Sequence, residues 1–188
     1  MLKIQSPAKI ACIQMRISYC RVEENLAEAD RLIEAACANG ATLLILPETF
    51  TTGSAFDTRA EAYAVAEAQF LLKKAREHGV YITGSFVERD GADLYNTAVL
   101  AGPDGLVGKF RKLHPCEDEV YWAEPGNLGI PVFHTPIGRI ALLICLDAYY
   151  PECFRICALQ GADIICTMFN AYHVKESRRL PDPSATMA

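Results

Sequence analysis

The sequence predicts an α/β fold of two β-sheets stacked face to face with helices outside, the second sheet short of strands. Three observations carry that expectation. Short apolar runs alternate with amphipathic helical stretches, the order that builds β-α-β units. Three further strands follow one another through tight turns, as in an antiparallel meander. Two segments, KIACIQM…CANGATLLILPE and RIALLIC…ALQGADIICTMFN, share one pattern. Each has a basic residue, Ile-Ala, an apolar strand, a helix, Gly-Ala and a second buried strand, which reads as an internal repeat.

The elements follow in order. KIACIQMR (9–16) reads as a strand. In VEENLAEADRLIEAACANG, Val22, Leu26, Ala29, Ile33 and Cys37 fall on one helical stripe, and Gly40 is placed to cap it. TLLILP (42–47) is a continuous apolar run, the pattern of a strand covered on both faces. A second helix is expected over roughly 58–78, stopped by Gly79. VYITGSFVER, LYNTAVLAG and LVGKFRK are the meander, turned at Asp90-Gly91 and Pro103-Asp104-Gly105. Residues 113–130 form a long loop rich in acids and aromatics, a length that often signals function. PVFHTPIGRIALLIC is a strand, a turn at 136–138 and a strand. Pro151 suits the first position of the next helix and Glu152 its positive end. Gly161 closes that helix, and DIICTMF is one more buried strand. Residues 171–188 have no clear period, so the chain reads as one domain over 1–188, incomplete at its C-terminal end, with an irregular tail.

Composition narrows the function classes. Half of the 188 residues are hydrophobic and 22% are charged, a globular balance. A net charge of −5 gives no reason to expect nucleic acid or an anionic membrane as partner. No apolar run reaches the roughly 18 residues that span a bilayer. The N-terminal apolar stretch is broken by Ser6, Pro7 and Lys9, so the expected location is cytoplasmic. Among eight cysteines, Cys12, Cys37, Cys145 and Cys166 lie inside apolar patterns and read as small core residues. There is no Cys-x-x-Cys pair; Cys153 and Cys157 share a helix face without further convergent ligands, so no metal is expected.

Three strand ends carry chemistry-bearing residues. In ALLICLDAYYPE the apolar run ends on Cys145, and an acid follows at Asp147. A cysteine at a sharp strand-to-helix turn is held out of the sheet, near a helix N-terminus that would lower its pKa and offer N–H groups to an oxyanion. The same residue also reads as a buried strand cysteine. In LLILPET, Glu48 stands just past the other buried strand, where ligand sites of α/β sheets lie. Apolar walls there would raise its pKa toward that of a useful base. A solvated loop acid is the competing reading. Lys112, at the end of LVGKFRK, would stabilise an oxyanion if it pointed inward, and would be an ordinary exposed lysine if not. Of the histidines only His114 lies near these residues, which leaves a Cys-His hydrolase as an alternative.

LLILPETF, GPDGLVGKFRKLH and LLICLDAYYPE together resemble, in order and spacing, the glutamate, lysine and cysteine motifs of the nitrilase superfamily of carbon–nitrogen hydrolases. The resemblance runs from about residue 8 to 170. It implies a four-layer α-β-β-α sandwich with internal pseudo-symmetry, and Glu48 as general base, Lys112 as oxyanion stabiliser and Cys145 as nucleophile. EVYWAEPG is similar to the pattern of a second family glutamate, so Glu119, rather than Glu124, is implied to orient the lysine. Leu146, through its backbone N–H, with Tyr149 and Asn170, are the candidate substrate contacts. No metal or organic cofactor is implied. A homodimer or higher homo-oligomer, paired through the helix carrying the cysteine, is. Family members run longer, and their last strands and helices complete the second sheet. The leading expectation is therefore a hydrolase of a small amide or N-carbamoyl substrate working through a cysteine thioester. A catalytically idle fragment or interaction module is the alternative from another class.

Overall fold

The computed structural model describes residues 8–53 and 60–170. The irregular tail expected over 171–188 lies outside the described residues. The first half builds β1 (Ile10–Cys12), α1 (Val22–Ala38), β2 (Leu43–Ile45), α2 (Ala60–His78), β3 (Tyr81–Asp90), β4 (Asp93–Gly102) and β5 (Gly105–Arg111). They give a five-stranded sheet in sequence order, parallel from β1 to β3 and antiparallel from β3 to β5. The second half builds β6 (Val132–Thr135), β7 (Gly138–Ile144), α3 (Pro151–Leu159) and β8 (Ile164–Met168). Here β6 pairs antiparallel with β7, and β7 pairs parallel with β8.

The two sheets stack, and two apolar layers show how. Ala29 and Ile33 of α1 and Leu71 and Ala75 of α2 cover one face of the large sheet with Leu44, Ile82 and Val99. The other layer joins Leu43, Leu100 and Phe110 of the large sheet to Ile140–Ile144 and Met168 of the small one, with Cys153 and Cys157 of α3 on the far side. The order is helix, sheet, sheet, helix. Where β5 faces β6 a glycine leaves room for an aromatic ring: a Cβ on Gly108 of β5 would stand 2.1 Å from the Phe133 ring of β6.

The repeat is structural down to single hydrogen bonds. Lys9 N–H donates to Thr42 Oγ1 at 3.0 Å and Thr42 N–H returns to Lys9 O at 2.8 Å. In the second copy Arg139 N–H donates to Asp163 Oδ2 at 2.9 Å and Asp163 N–H returns to Arg139 O at 2.8 Å. Both helices end on a glycine in the left-handed region, Gly40 at φ 79° and Gly161 at φ 82°, the conformation that lets a chain leave a helix.

Three details depart from expectation. The first strand is paired over Ile10–Cys12 only, flanked by the Lys9 bonds to residues 42 and 43 and by one from Ile13 N–H to Ile45 O, because β1 is an edge with one neighbour. For the same reason Cys12 is exposed rather than a core residue. The long loop contains a 3-10 turn, Glu117–Tyr121.

Candidate active site

Four side chains meet where strands of both sheets run out. Glu48 follows β2; its N–H lies 3.4 Å from the carbonyl of Phe169, which follows β8, so matching strand ends of the two repeat copies touch. The next residue, Thr49, turns the chain with φ 44° and donates its N–H to Ser85 Oγ at 2.9 Å. Lys112 follows β5 and continues its ladder by donating N–H to Asn96 O at 2.9 Å. Strand alternation puts it on the same face as Gly108 and Phe110, toward the second sheet. Glu119 sits in the 3-10 turn and accepts the Cys116 N–H at 3.2 Å. Cys145 follows β7 with φ 46°, a left-handed conformation that costs a non-glycine residue and marks an elbow.

Asp147 fixes that elbow. It is fully buried and accepts N–H groups from Ile144 at 3.2 Å, Leu113 at 3.1 Å and His114 at 3.0 Å, with His114 Nδ1 at 2.8 Å. One carboxylate thus ties the segment after Lys112 to the segment around Cys145. Burial raises its pKa, against the opposing pull of His114 and the backbone donors.

At the centre, Lys112 Nζ donates to Glu48 Oε1 at 2.8 Å, to Glu119 Oε2, and to Cys116 Sγ at 3.5 Å. The Asn96 amide nitrogen donates to Glu48 Oε1 at 3.0 Å and to Glu119 Oε1 at 2.6 Å. Asn170 N–H donates to Glu48 Oε2 at 3.2 Å, and the Cys145 thiol faces the Glu48 carboxylate. Glu48, Lys112 and Glu119 are 4%, 1% and 6% exposed, so these charges interact with little solvent screening.

Two carboxylates and one ammonium leave the cluster one negative charge in excess. Burial raises the Glu48 pKa, and the Lys112 charge and hydrogen bond offset this only in part. Burial alone would lower the Lys112 pKa, but the Glu48 and Glu119 charges outweigh it and hold the ammonium above the ordinary lysine range. The Cys145 thiol is pushed up to about 12 by burial and by the Glu48 charge. That reverses the lowered thiol pKa expected from a nearby helix. The residues Cys145–Tyr149 form a 3-10 turn before α3 begins at Pro151, so a carboxylate, and not a helix end, faces the sulfur.

The structure therefore brings Glu48, Lys112, Glu119 and Cys145 together. Leu146 is half-buried in the turn after Cys145, and Asn170 reaches Glu48 through its backbone. Tyr149 is 75% exposed, outside this cluster. His114 is engaged by Asp147 and stacks on Tyr150 with ring centroids 3.9 Å apart. Sequence reasoning missed Asn96 and gave Asp147 no role. The signal for Asn96 was a bare amide in the apolar strand LYNTAVLAG. Among the described residues no group of three or more His, Cys, Asp or Glu is placed to hold a metal, and no helix is long and apolar enough to cross a membrane.

Comparison with known proteins gives the arrangement its context. A family model described as carbon–nitrogen hydrolase matches residues 9–187. The chain is 39% identical over 180 residues to a nitrilase of Pyrococcus abyssi, covering 92% of this chain and 69% of that protein. It is 34% identical over 160 residues to the N-carbamoylputrescine amidase of Solanum lycopersicum, covering 77% of this chain but only 52% of that protein. The chain thus spans about half the length of that amidase. An amidase from Nesterenkonia sp. superposes with a TM-score of 0.80 at 25% identity, over 89% of this chain and 67% of that one. The fold also matches a carbon–nitrogen hydrolase from Helicobacter pylori, with a TM-score of 0.82 over 92% of this chain and 63% of that one.

Proposed function

The chain belongs to the carbon–nitrogen hydrolase family, and we propose that it hydrolyses a small amide or N-carbamoyl compound through a thioester on Cys145. The observation that carries this reading is the buried Lys112 held between Glu48 and Glu119, with the Cys145 thiol facing Glu48. A protonated thiol next to a carboxylate of raised pKa is a nucleophile waiting for its base.

Glu48 accepts the thiol proton as the sulfur attacks the carbonyl carbon. This transfer moves charge from carboxylate to substrate oxygen without adding a third anion to the cluster. The new oxyanion lies against the Lys112 ammonium and a backbone N–H, that of Leu146. When the tetrahedral intermediate collapses, the C–N bond breaks and the departing amine takes the proton from Glu48. Water then enters, gives its proton to Glu48 and attacks the thioester. The second collapse releases the acid, and the sulfur recovers the proton. Glu119 keeps the lysine aimed. Tyr149 and Asn170 belong to the substrate pocket in this reading, Asn170 through its contact with Glu48. The Cys-His alternative loses support, because His114 faces Asp147.

The test is a panel of small amides and N-carbamoyl compounds, with ammonia release measured and intact-protein mass recorded after quenching. Cys145→Ala abolishes turnover, Glu48→Gln slows both acylation and deacylation by several orders of magnitude, and His114→Ala costs far less. Activity that survives Glu48→Gln and dies with His114→Ala would transfer the chemistry to the Cys-His pair. The same reading carries a cytoplasmic homodimer. Phe154, Ile156 and Leu159, exposed apolar residues of α3, support pairing through that helix. A monomer in sedimentation at micromolar concentration would oppose it.

A further inference from the structure

We propose that Asn96 is a positioning residue of this site: its amide holds Glu48 and Glu119 on either side of Lys112 and keeps Glu48 in its proton-accepting form. The inference rests on the reading of Glu48 as the base.

One residue of β4 touches both carboxylates and the backbone of the lysine between them. The Asn96 side-chain nitrogen spends both its hydrogens on carboxylates, at 3.0 Å to Glu48 Oε1 and 2.6 Å to Glu119 Oε1, while the Asn96 backbone carbonyl accepts the Lys112 backbone N–H at 2.9 Å. The residue is 1% exposed. Its own Oδ1 is buried with no hydrogen-bond partner among the described residues, an arrangement that opposes folding. An apolar residue would sit in this strand without that penalty, so the amide is explained by what its nitrogen does. The cluster explains the need. Two carboxylates face one ammonium, and Lys112 alone leaves a negative charge uncompensated. Two neutral N–H donors stabilise the ionised pair without adding a cation that would compete for the thiol proton.

The groups facing Glu48 are Lys112 from the end of β5, Glu119 and Cys116 from the loop, and Cys145 from the elbow. Lys112 stays charged and both thiols stay protonated through the neutral range, given the directions of their shifts. The loss of the Asn96 donors therefore falls on Glu48, the group whose acid limb the experiment reads.

Alkylation of Cys145 by iodoacetamide reads this without a known substrate. Its rate is followed from about pH 4 to 10 by mass spectrometry of the Cys145 peptide. Glu48→Gln removes the acid limb of that profile; a profile untouched by Glu48→Gln sinks the base assignment itself. With that control in place, Asn96→Leu and the isosteric Asn96→Asp move the acid-limb midpoint up by about half a pH unit or more, roughly a threefold slower rate below the wild-type midpoint. The alkaline plateau changes less. A purely structural role would lower thermal stability and leave the midpoint in place. A wild-type midpoint in either folded variant overturns the inference. So does failure of both variants to fold while Glu119→Gln folds, which would assign Asn96 to the core.

Discussion

Arg111 and Lys112 are neighbours in the chain, and each is a buried cation between two carboxylates. Arg111 reaches Glu88 at 2.9 Å and Asp90 at 2.8 Å. Lys112 reaches Glu48 at 2.8 Å and also pairs with Glu119. Strand alternation sends them to opposite faces, and a shift of one residue would exchange them. Beyond that the surroundings differ. Asp90 has a side chain 63% exposed, so water still reaches one partner of Arg111. Its guanidinium also stacks 3.8 Å from the Tyr95 ring centroid and donates to Asn127 at 2.8 Å. The planar fork thereby ties β3 and β5 to each other and to the loop at Asn127. Lys112 has partners only 5% and 7% exposed. Its ammonium spends its N–H groups on Glu48, Glu119 and, at a long 3.5 Å, Cys116 Sγ, a weak acceptor that a substrate oxygen would displace. The same charge pattern locks a sheet where water relieves it, and stays reactive where it does not.

The largest expected effect divides the pair by function. Lys112→Met removes the cation that receives the oxyanion, and turnover falls by roughly 10²–10³-fold or more. It also strands Glu48 and Glu119, so the variant is least stable at neutral pH and recovers as the carboxylates protonate. Arg111→Met lowers stability by about 1–3 kcal/mol, because a buried network loses its hub. Turnover per folded molecule stays near wild type. Thermal melts beside steady-state rates check both. A folded Arg111→Met protein with lost kcat would break the distinction.

Two acid limbs sharpen the same contrast. The pKa of Glu48 is raised, burial being the main cause, so its base form disappears as pH falls through a value above the ordinary glutamate range. Activity then has its acid limb in that raised window. Burial would also raise Glu88, but hydrogen bonds from Arg111, Lys109 and Thr97 outweigh it and hold the carboxyl down to about 2. A folded-state pKa below the unfolded one contributes stability that is complete above the unfolded value of about 4.3 and is lost as pH falls through the folded one. The Glu88 contribution therefore decays between about pH 4 and 2, after activity has gone. Rate–pH and melting–pH profiles with coincident midpoints would count against this separation.

The sequence made Lys112 suspect but was silent on Arg111, and the reason is physical. Motif spacing and the repeat locate strand ends, because apolar periodicity and Gly-Ala corners are local signals. That was enough to bring Glu48, Lys112 and Cys145 to one place. Partners contributed by other strands are not local. Glu88 of β3 and Asn96 of β4 meet β5 residues through antiparallel register, which single-residue patterns do not display. Asp147 was visible two places after Cys145, yet its acceptors' donors come from residues 113 and 114. The raised thiol pKa was misjudged because the sequence shows a helix following Cys145 without showing the intervening turn or the facing carboxylate.

The smallest effect tests how far the Arg111 network depends on its outer member. Lys109 shares Glu88 with Arg111, and its side chain is 37% exposed. An ion pair open to that extent is screened and costs side-chain entropy to hold, so Lys109→Ala is expected to lower stability by only about 0–1 kcal/mol. Glu88 keeps Arg111 and Thr97 as donors, at 2.9 and 2.6 Å, so its acid limb in the melting profile moves up only slightly. Adding about 0.5 M salt should erase most of the difference between variant and wild type, because screening acts on the exposed pair first. The Arg111 contacts, with a side chain only 3% exposed, keep most of their contribution under the same salt. If Lys109→Ala destabilised the protein as much as Arg111→Met, the network would draw its stability from net positive charge, and the fork geometry assigned to Arg111 would carry no separate weight.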